Sequence, residues 1–376
     1  MIEDILAERL EIAYEQLSAI REIHKAPVNL NIKELYELGL NKAIKLLTGA
    51  NPNKGFFMDK DEVSKKLEGR RRYKKIIEDV IKKKKAFWDN RFLCIPLIAQ
   101  GREVIGVIIL EGFPEKPFTY DDVKILLPII SSLANVIQNM KYAQAQLKKQ
   151  FGDKLGEEIY NDKSKLEPKY LEKTTVLFAD IRGATKLVDC LSKEPTLFSK
   201  VMQDFYEKGR EIILDHSGIV DKFLGDGLMA IFGVNDEQPY GINDENPPSK
   251  AVLSALKLEE WFDKEFFPKW KDDFIKKLHK FEDIALGIGI ATEDSMVGNF
   301  GRGELINFTS LGKSPSLASR ICDEAREKKK RKPKSIILID EGTKQYLPEG
   351  FEIEHFKDIS PKNMPHRYPI YRIMGV

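Results

Sequence analysis

Residues 219–232, IVDKFLGDGLMAIF, hold two apolar, β-rich runs joined by Gly225-Asp226-Gly227. Ile219–Leu224 and Leu228–Phe232 therefore read as a β-hairpin. Glycines on both sides of the tip residue can take the positive φ that a tight turn needs, and they leave the Asp226 carboxylate in the open. Upstream, Thr174–Ala179 is another β-rich run, ending in Asp180-Ile181-Arg182-Gly183. A carboxylate directly after a buried strand lies at its carboxyl end, where α/β proteins commonly place ligands. Either acid alone is an ordinary turn former. Together, 46 positions apart (226 − 180), they offer hard oxygen donors that can converge on divalent cations holding phosphate oxygens.

The rest of the chain sets the context for that pair. At 376 residues it is too long for one ordinary core, so two domains are expected. Hydrophobic residues make up 42% and charged residues 32%, a globular and not a disordered composition. The net charge of +2 gives no global field for nucleic acid or an anionic membrane. Apolar stretches such as Val104–Leu110 are too short to cross a bilayer, and no signal peptide is read at the N-terminus. Cys94, Cys190 and Cys322 are scattered and odd in number, which predicts reduced thiols and a cytoplasmic location. The basic run Lys328–Lys332 reads as a solvated loop before a strand at Ser335–Asp340, without the interleaved aromatics of a nucleic-acid surface, and Lys82–Lys85 ends a helix and complements its dipole.

In the N-terminal part, helices are predicted over 2–22 and Ile32–Leu47, while 48–75 stays unassigned. Phe92–Ala99 and Glu103–Glu111 read as paired strands across Gln100-Gly101-Arg102. Thr119 is the expected cap of a helix running through Gln138 into Tyr142–Tyr160. Ala143, Leu147, Phe151 and Leu155 recur at i,i+4 in a charged connector, as a parallel two-helix stalk requires. The strand pair RFLCIPLIAQGREVIGVIIL and the segment FTYDDVKILLPIISSLANVIQNM resemble the closing half of a GAF domain. GAF domains that bind cyclic nucleotides carry an Asn-Lys where this chain has Glu111-Gly112. Their Phe-x3-Asp-Glu is matched by Phe118 and Asp122, but Val123 stands in place of the Glu. The resemblance implies a sensor or dimerisation domain, with a small-molecule ligand of unspecified kind.

From residue 172 onward the chain resembles the catalytic domain of class III nucleotidyl cyclases. TTVLFADIRGATKL and GIVDKFLGDGLMAIFG match the two metal motifs. IALGIGIATEDSMVGNFGRGELINFTSLGKSPSLASRI matches the dimer arm and transition-state helix, and HFKDISPKNMPHRYPIYRI the closing hairpin. The resemblance implies that Asp180 and Asp226, with the carbonyl of Ile181, hold two Mg²⁺ or Mn²⁺ ions. These lower the pKa of the ribose 3′-hydroxyl and hold the triphosphate while the α-phosphorus is attacked and pyrophosphate leaves. Arg320 is implied as the cation on the phosphoryl oxygens. It lies one turn after Ser316, which occupies the family's ribose-orienting Asn position, on a helix that Ser314 could cap and Pro315 could start. Lys222 and Thr309 are implied to read the base, and the absence of a Glu at the lysine position disfavours guanine. Ala184 replaces the usual bulky aromatic of the first motif. Lys357 and Lys362 are the candidates for gripping the triphosphate.

The expected fold is α+β. A GAF-like domain (26–140) follows an N-terminal helix (1–25), then a helical linker (141–171), then a cyclase domain (172–376) with a ferredoxin-like βαββαβ core and an antiparallel-rich sheet. The expected activity is conversion of ATP to a 3′,5′-cyclic nucleotide and pyrophosphate for second-messenger signalling. A pyrimidine (UTP or CTP) cyclase of bacterial anti-phage defence and an inactive cyclase-like dimerisation module are the alternatives. A homodimer is implied, with active sites at the interface, no nucleic acid or membrane partner, and an N-terminal region that regulates the two catalytic halves.

Overall fold

The computed structural model describes residues 2–25, 32–47, 54–60, 71–100, 103–113, 115–183, 195–234, 246–277, 284–302, 306–325, 334–361, 364 and 366–376. The chain divides into two units, Met1–Gln146 and Leu147–Val376.

The first unit contains α1 (Ile2–Lys25), α2 (Ile32–Leu46), β1 (Lys54–Asp59), α3 (Arg71–Lys83), β2 (Phe87–Trp88), β3 (Phe92–Ile98), β4 (Val104–Glu111) and the start of α4 (Tyr120–Phe151). Its four strands form an antiparallel sheet in the order β1-β4-β3-β2. β3 and β4 pair as their hydrophobic runs predict. β1 arises from the unassigned stretch 48–75, because Phe56, Phe57 and Met58 gain their strand identity only by lying beside β4, while α3 ends at Lys83, inside the basic run expected to end a helix. α4 starts with a reciprocal capping box: the Asp122 N–H donates to the Thr119 hydroxyl, and the Thr119 N–H donates to the Asp122 carboxylate at 2.7 Å. By length and composition α4 holds a stretch that could cross a membrane, which the sequence reading had not recognised. Half of that stretch is buried inside the protein, with Leu126, Ile129, Ile130, Leu133 and Ile137 all inaccessible. Gly39 of α2 approaches Leu133 so closely that a Cβ would lie 2.4 Å from its methyl group.

The expected continuous helix to Tyr160 is interrupted. Gly152 takes φ +81° and α5 (Asp153–Asn161) sets off in a new direction. Gly156 then lies against the backbone of the preceding helix, where a Cβ would come within 2.6 Å of Lys148. Phe151, Leu155 and Ile159 are consequently buried in the core of the second unit, and the stalk seam expected through Phe151 and Leu155 is spent inside one chain. The burial of an aromatic and two aliphatic side chains outweighs whatever straight-helix propensity the connector has.

The second unit follows the order β5 (Lys169–Arg182), α6 (Pro195–Asp215), β6 (Ile219–Leu224), β7 (Gly227–Phe232), α7 (Pro247–Trp261), one π turn (Phe262–Phe266), α8 (Phe267–Lys277) and β8 (Ala285–Asn299). This is a βαββαβ core, and its strand order β8-β5-β7-β6 is ferredoxin-like. β9 (Phe308–Gly312) folds back on β8 as an arm, α9 (Lys313–Glu324) follows, and β10 (Ile336–Asp340) runs parallel to β8. After α10 (Glu341–Lys344), β11 (Glu352–Ile359) and β12 (Tyr368–Gly375) complete the edge. Alternation along β5 and β8 divides the core between two faces. Leu177, Ala179, Ile181, Leu286, Ile288 and Ile290 pack with α6, α7 and α8, whereas Val176 and Ala291 pack with α5 and α9. Gly289 lets α9 rest directly on β8: a Cβ there would lie 2.2 Å from the Cys322 nitrogen and 2.5 Å from the Ala318 oxygen.

Candidate active site

Asp180 pairs across the sheet with Gly227 of β7 on one side and Gly287 of β8 on the other. The Ile181 N–H donates to the Asp226 carbonyl at 3.1 Å, joining the end of β5 to the hairpin tip. N–H and C=O of one strand residue point to the same edge, so the Ile181 carbonyl also faces the Asp226 turn. The end of β5 and the Asp226 turn are therefore joined through their backbones. Gly225 takes φ +65° in the turn. Gly227 allows β7 to approach so closely that a Cβ would lie 3.3 Å from Asp180 Oδ1 and 2.6 Å from the Ala179 carbonyl.

Arg182 was missed by the sequence reading. Its Nη1 donates to Asp180 Oδ2 at 2.8 Å, and its Nη2 donates to the Cys322 carbonyl in the last turn of α9. The guanidinium side chain is 11% exposed and that of Asp180 33%. A cation at a helix C-terminus is favoured by the helix dipole, so Arg182 ties the acid to α9. Gly287 makes the room, since a Cβ there would lie 2.2 Å from Arg182 Nε. The two-residue spacing from Asp180 is the sequence signal that places both side chains on one face. Tyr206 of α6 was also missed. Its hydroxyl donates to the Gly225 carbonyl and its ring stacks on Phe223 with centroids 4.2 Å apart. Burial, and next the charge of Asp226, push its phenol above the ordinary value.

Lys222 and Thr309 meet. The ammonium donates to Thr309 Oγ1 at 3.2 Å, and the Thr309 hydroxyl donates to Asp221 Oδ2. Asp221, 1% exposed at its side chain, lies 3.4 Å through Oδ1 from the Lys222 ammonium and also accepts from the Ser310 N–H. Burial pushes the Asp221 carboxyl above its ordinary value, opposed by these donors. Neighbouring residues of a regular strand point to opposite faces. Asp221 and Lys222 reach the same hydroxyl because the β6–β7 register slips between Val220 and Lys222, a bulge with Asp221 as its extra residue.

Ser316 and Arg320 lie one turn apart on the exposed face of α9. The Ser316 hydroxyl donates to the Gly312 carbonyl at 2.8 Å, so its hydrogen is committed to its own helix. The cap expected of Ser314 is not formed. Gly312 occupies the N-cap position, Pro315 lies inside the first turn, and the Ser314 hydroxyl contacts the Thr174 and Ala291 carbonyls at 2.7 and 2.8 Å. Being buried between β5 and β8, Ser314 satisfies the sheet before the helix. Lys357 is paired with Glu324 of α9. Ala184, Lys362, Cys190 and the run Lys328–Lys332 lie outside the described residues.

Residues 166–374 match the family model of the adenylate and guanylate cyclase catalytic domain. The match covers more than half the chain, and the chain belongs to this family, the class III nucleotidyl cyclases. An adenylate cyclase of Anabaena cylindrica is 26% identical over 204 residues, 53% of this chain and 36% of that protein. An uncharacterised protein of Mycobacterium tuberculosis is 25% identical over 201 residues, 52% of this chain and 32% of that protein. The chain spans about a third of the length of these curated relatives. Among solved structures, the adenylyl cyclase CyaB from P. aeruginosa is 25% identical with a TM-score of 0.47, covering 56% of this chain and 97% of that chain.

Proposed function

We propose that the chain is a nucleotidyl cyclase that converts ATP to 3′,5′-cyclic AMP and pyrophosphate, acting as a dimer of identical subunits. The observation that carries this reading is the junction of Asp180, Ile181 and Asp226 at the ends of β5 and β7. Its donors are hard oxygens, two carboxylates and a carbonyl, carried by adjoining backbone. Such a set fits Mg²⁺ or Mn²⁺. When bound, the ions supply positive charge to the triphosphate and lower the pKa of the ribose 3′-hydroxyl.

The chain's own residues do the rest. Arg182 fixes the Asp180 carboxylate, and Tyr206 braces the tip that carries Asp226. Arg320, exposed on α9, is the guanidinium that meets charge on the phosphoryl oxygens as the 3′-oxygen bonds to the α-phosphorus and the bond to pyrophosphate breaks. Lys222 and Thr309 hold the base. The exposed apolar residues Phe223, Leu224, Phe300, Ile306 and Leu311, on the hairpin and the arm, support a second copy as their cover. Each site would then take its metal acids from one subunit and its base-reading residues from the other. The N-terminal unit we read as a GAF-like sensor or dimerisation domain, in a cytoplasmic protein without nucleic-acid or membrane partners.

The test is incubation with Mn²⁺ and each of ATP, GTP, UTP and CTP, followed by assay for cyclic product and pyrophosphate. ATP turnover that is lost in Asp226→Ala supports the reading. Product from CTP or UTP alone replaces it with the pyrimidine cyclase of phage defence, which the small Ala184 favours. No product from any triphosphate leaves a cyclase-like dimerisation module.

A further inference from the structure

The geometry points to Asp221 as a positioning residue that fixes the direction of the Thr309 hydroxyl and so makes the base subsite a reader of amino edges, of adenine or cytosine. This rests on the cyclase reading and narrows its substrate class.

The argument is an inventory of protons. A threonine hydroxyl has one hydrogen and two lone pairs. Here the hydrogen is given to Asp221 Oδ2, and one lone pair accepts from Lys222. An ionised carboxylate can only accept, so releasing the Thr309 hydrogen takes a donor from a buried Asp221 oxygen and is disfavoured. Thr309 itself is 3% exposed and lies under Lys222, whose side chain is 39% exposed. A base that reaches Thr309 must draw the ammonium aside and take its place as the donor. An exocyclic amino group can do this, whereas a carbonyl brings lone pairs against lone pairs. The displaced ammonium has only hydrogens to offer, so it seeks a ring nitrogen without hydrogen.

An amino group beside an unprotonated ring nitrogen is the edge of adenine and of cytosine. Guanine, hypoxanthine and uracil present a carbonyl beside a ring N–H at the same positions, the reverse polarity. The bulge at Asp221 is what makes the arrangement possible, since an unbulged strand would turn the carboxylate away from the hydroxyl that Lys222 meets.

Two pairs of triphosphates of equal size isolate this effect: ATP against inosine triphosphate, and CTP against UTP. Equilibrium binding of each to the full-length protein in Mn²⁺, and turnover of each, are measured for wild type, Asp221→Asn and Asp221→Glu. The wild type is expected to favour the amino member of each pair by about tenfold or more. Asp221→Asn can donate to Thr309 and release its hydrogen, so both ratios should fall toward one, while Asp221→Glu, still an acceptor, should restore them. Should Asp221→Asn fail to fold, Thr309→Val against Thr309→Ser makes the same comparison, with the ratios lost in valine and kept in serine. Ratios near one in the wild type, or unchanged in Asp221→Asn, overturn the inference. Selective binding without turnover keeps it and overturns the cyclase reading alone.

Discussion

The two halves of the candidate site are built on opposite plans. The metal half, Asp180 with Asp226, is partly exposed and rests on glycines: Gly225 for the turn, Gly227 and Gly287 for close approach. Within it, Arg182 donates to one oxygen of the Asp180 carboxylate at 2.8 Å. The base half, Lys222 with Thr309, is hydrogen-bonded within itself, with a buried carboxylate beneath it. On the proposed reading the difference follows from what each would hold. Metal ions need open oxygen donors, whereas reading a base needs hydrogens fixed in advance, which burial and a one-way acceptor provide.

The largest test of the contrast is removal of the acids. Asp226→Ala should lower product formation by at least about 10²-fold, the scale of losing a group that stabilises transition-state charge, and leave the melting temperature close to wild type. Asp180→Ala should lose activity equally and also lower the melting temperature, because it strands the Arg182 guanidinium. Equal melting of the two variants would show that Arg182 does not depend on Asp180.

Next in size is the support beneath the base half. Phe151 meets Phe308, the residue before Thr309, edge to face with centroids 5.1 Å apart. Phe151→Ala should cost about 3 kcal/mol in urea unfolding. For the same reason, a catalytic fragment that begins at residue 147 should fold, and one that begins at 161 should not, as read by circular dichroism. A stable fragment lacking 147–160 would show that α5 is dispensable.

The support beneath the metal half is tested by its glycines. Gly289→Ala presses on the α9 backbone and should cost about 1–3 kcal/mol. Gly287→Ala presses on the flexible Arg182 side chain and should cost less stability, with its loss expressed in activity instead.

The smallest effect concerns pH, and it lies away from both halves. Burial, with repulsion from Asp263, pushes Glu259 of α7 from an ordinary value of 4.5 up to about 7, opposed by Arg372. Burial likewise pushes Asp340 up to about 7. The folded protein then binds these protons more tightly than the unfolded chain, so stability should fall as pH rises from about 4.5 to about 7 and level off above it. Glu259→Gln should flatten part of that slope in pH-dependent thermal unfolding without altering base preference.

Much of the site was legible in the sequence because its signals are local. Gly-Asp-Gly between β-rich runs specifies a hairpin tip; Asp180, expected just after its strand, lies inside β5 two residues before its end, because β7 pairs with it and β8 carries the pairing on to Arg182. Thr119 with Asp122 specified its capping box. Arg182 was readable from its spacing to Asp180 but carried no turn or motif signal of its own. Asp221 was hidden, because alternation assigns it to the face opposite Lys222 and only the bulge reverses that.

By itself, then, the sequence determined the family, the β-rich runs beside both acids, and the choice of Lys222 and Thr309 as a pair, since each depends on short-range pattern or on motif order. Tertiary structure decided where the connector goes, what holds Asp180, and which way the Thr309 hydrogen points. Those depend on contacts such as Phe151 with Phe308, Arg182 with Cys322, and Asp221 with Thr309, between residues 88 to 157 positions apart (309 − 221, 308 − 151). No local periodicity encodes contacts at that separation, because they are selected by burial and hydrogen-bond satisfaction once the sheet has formed.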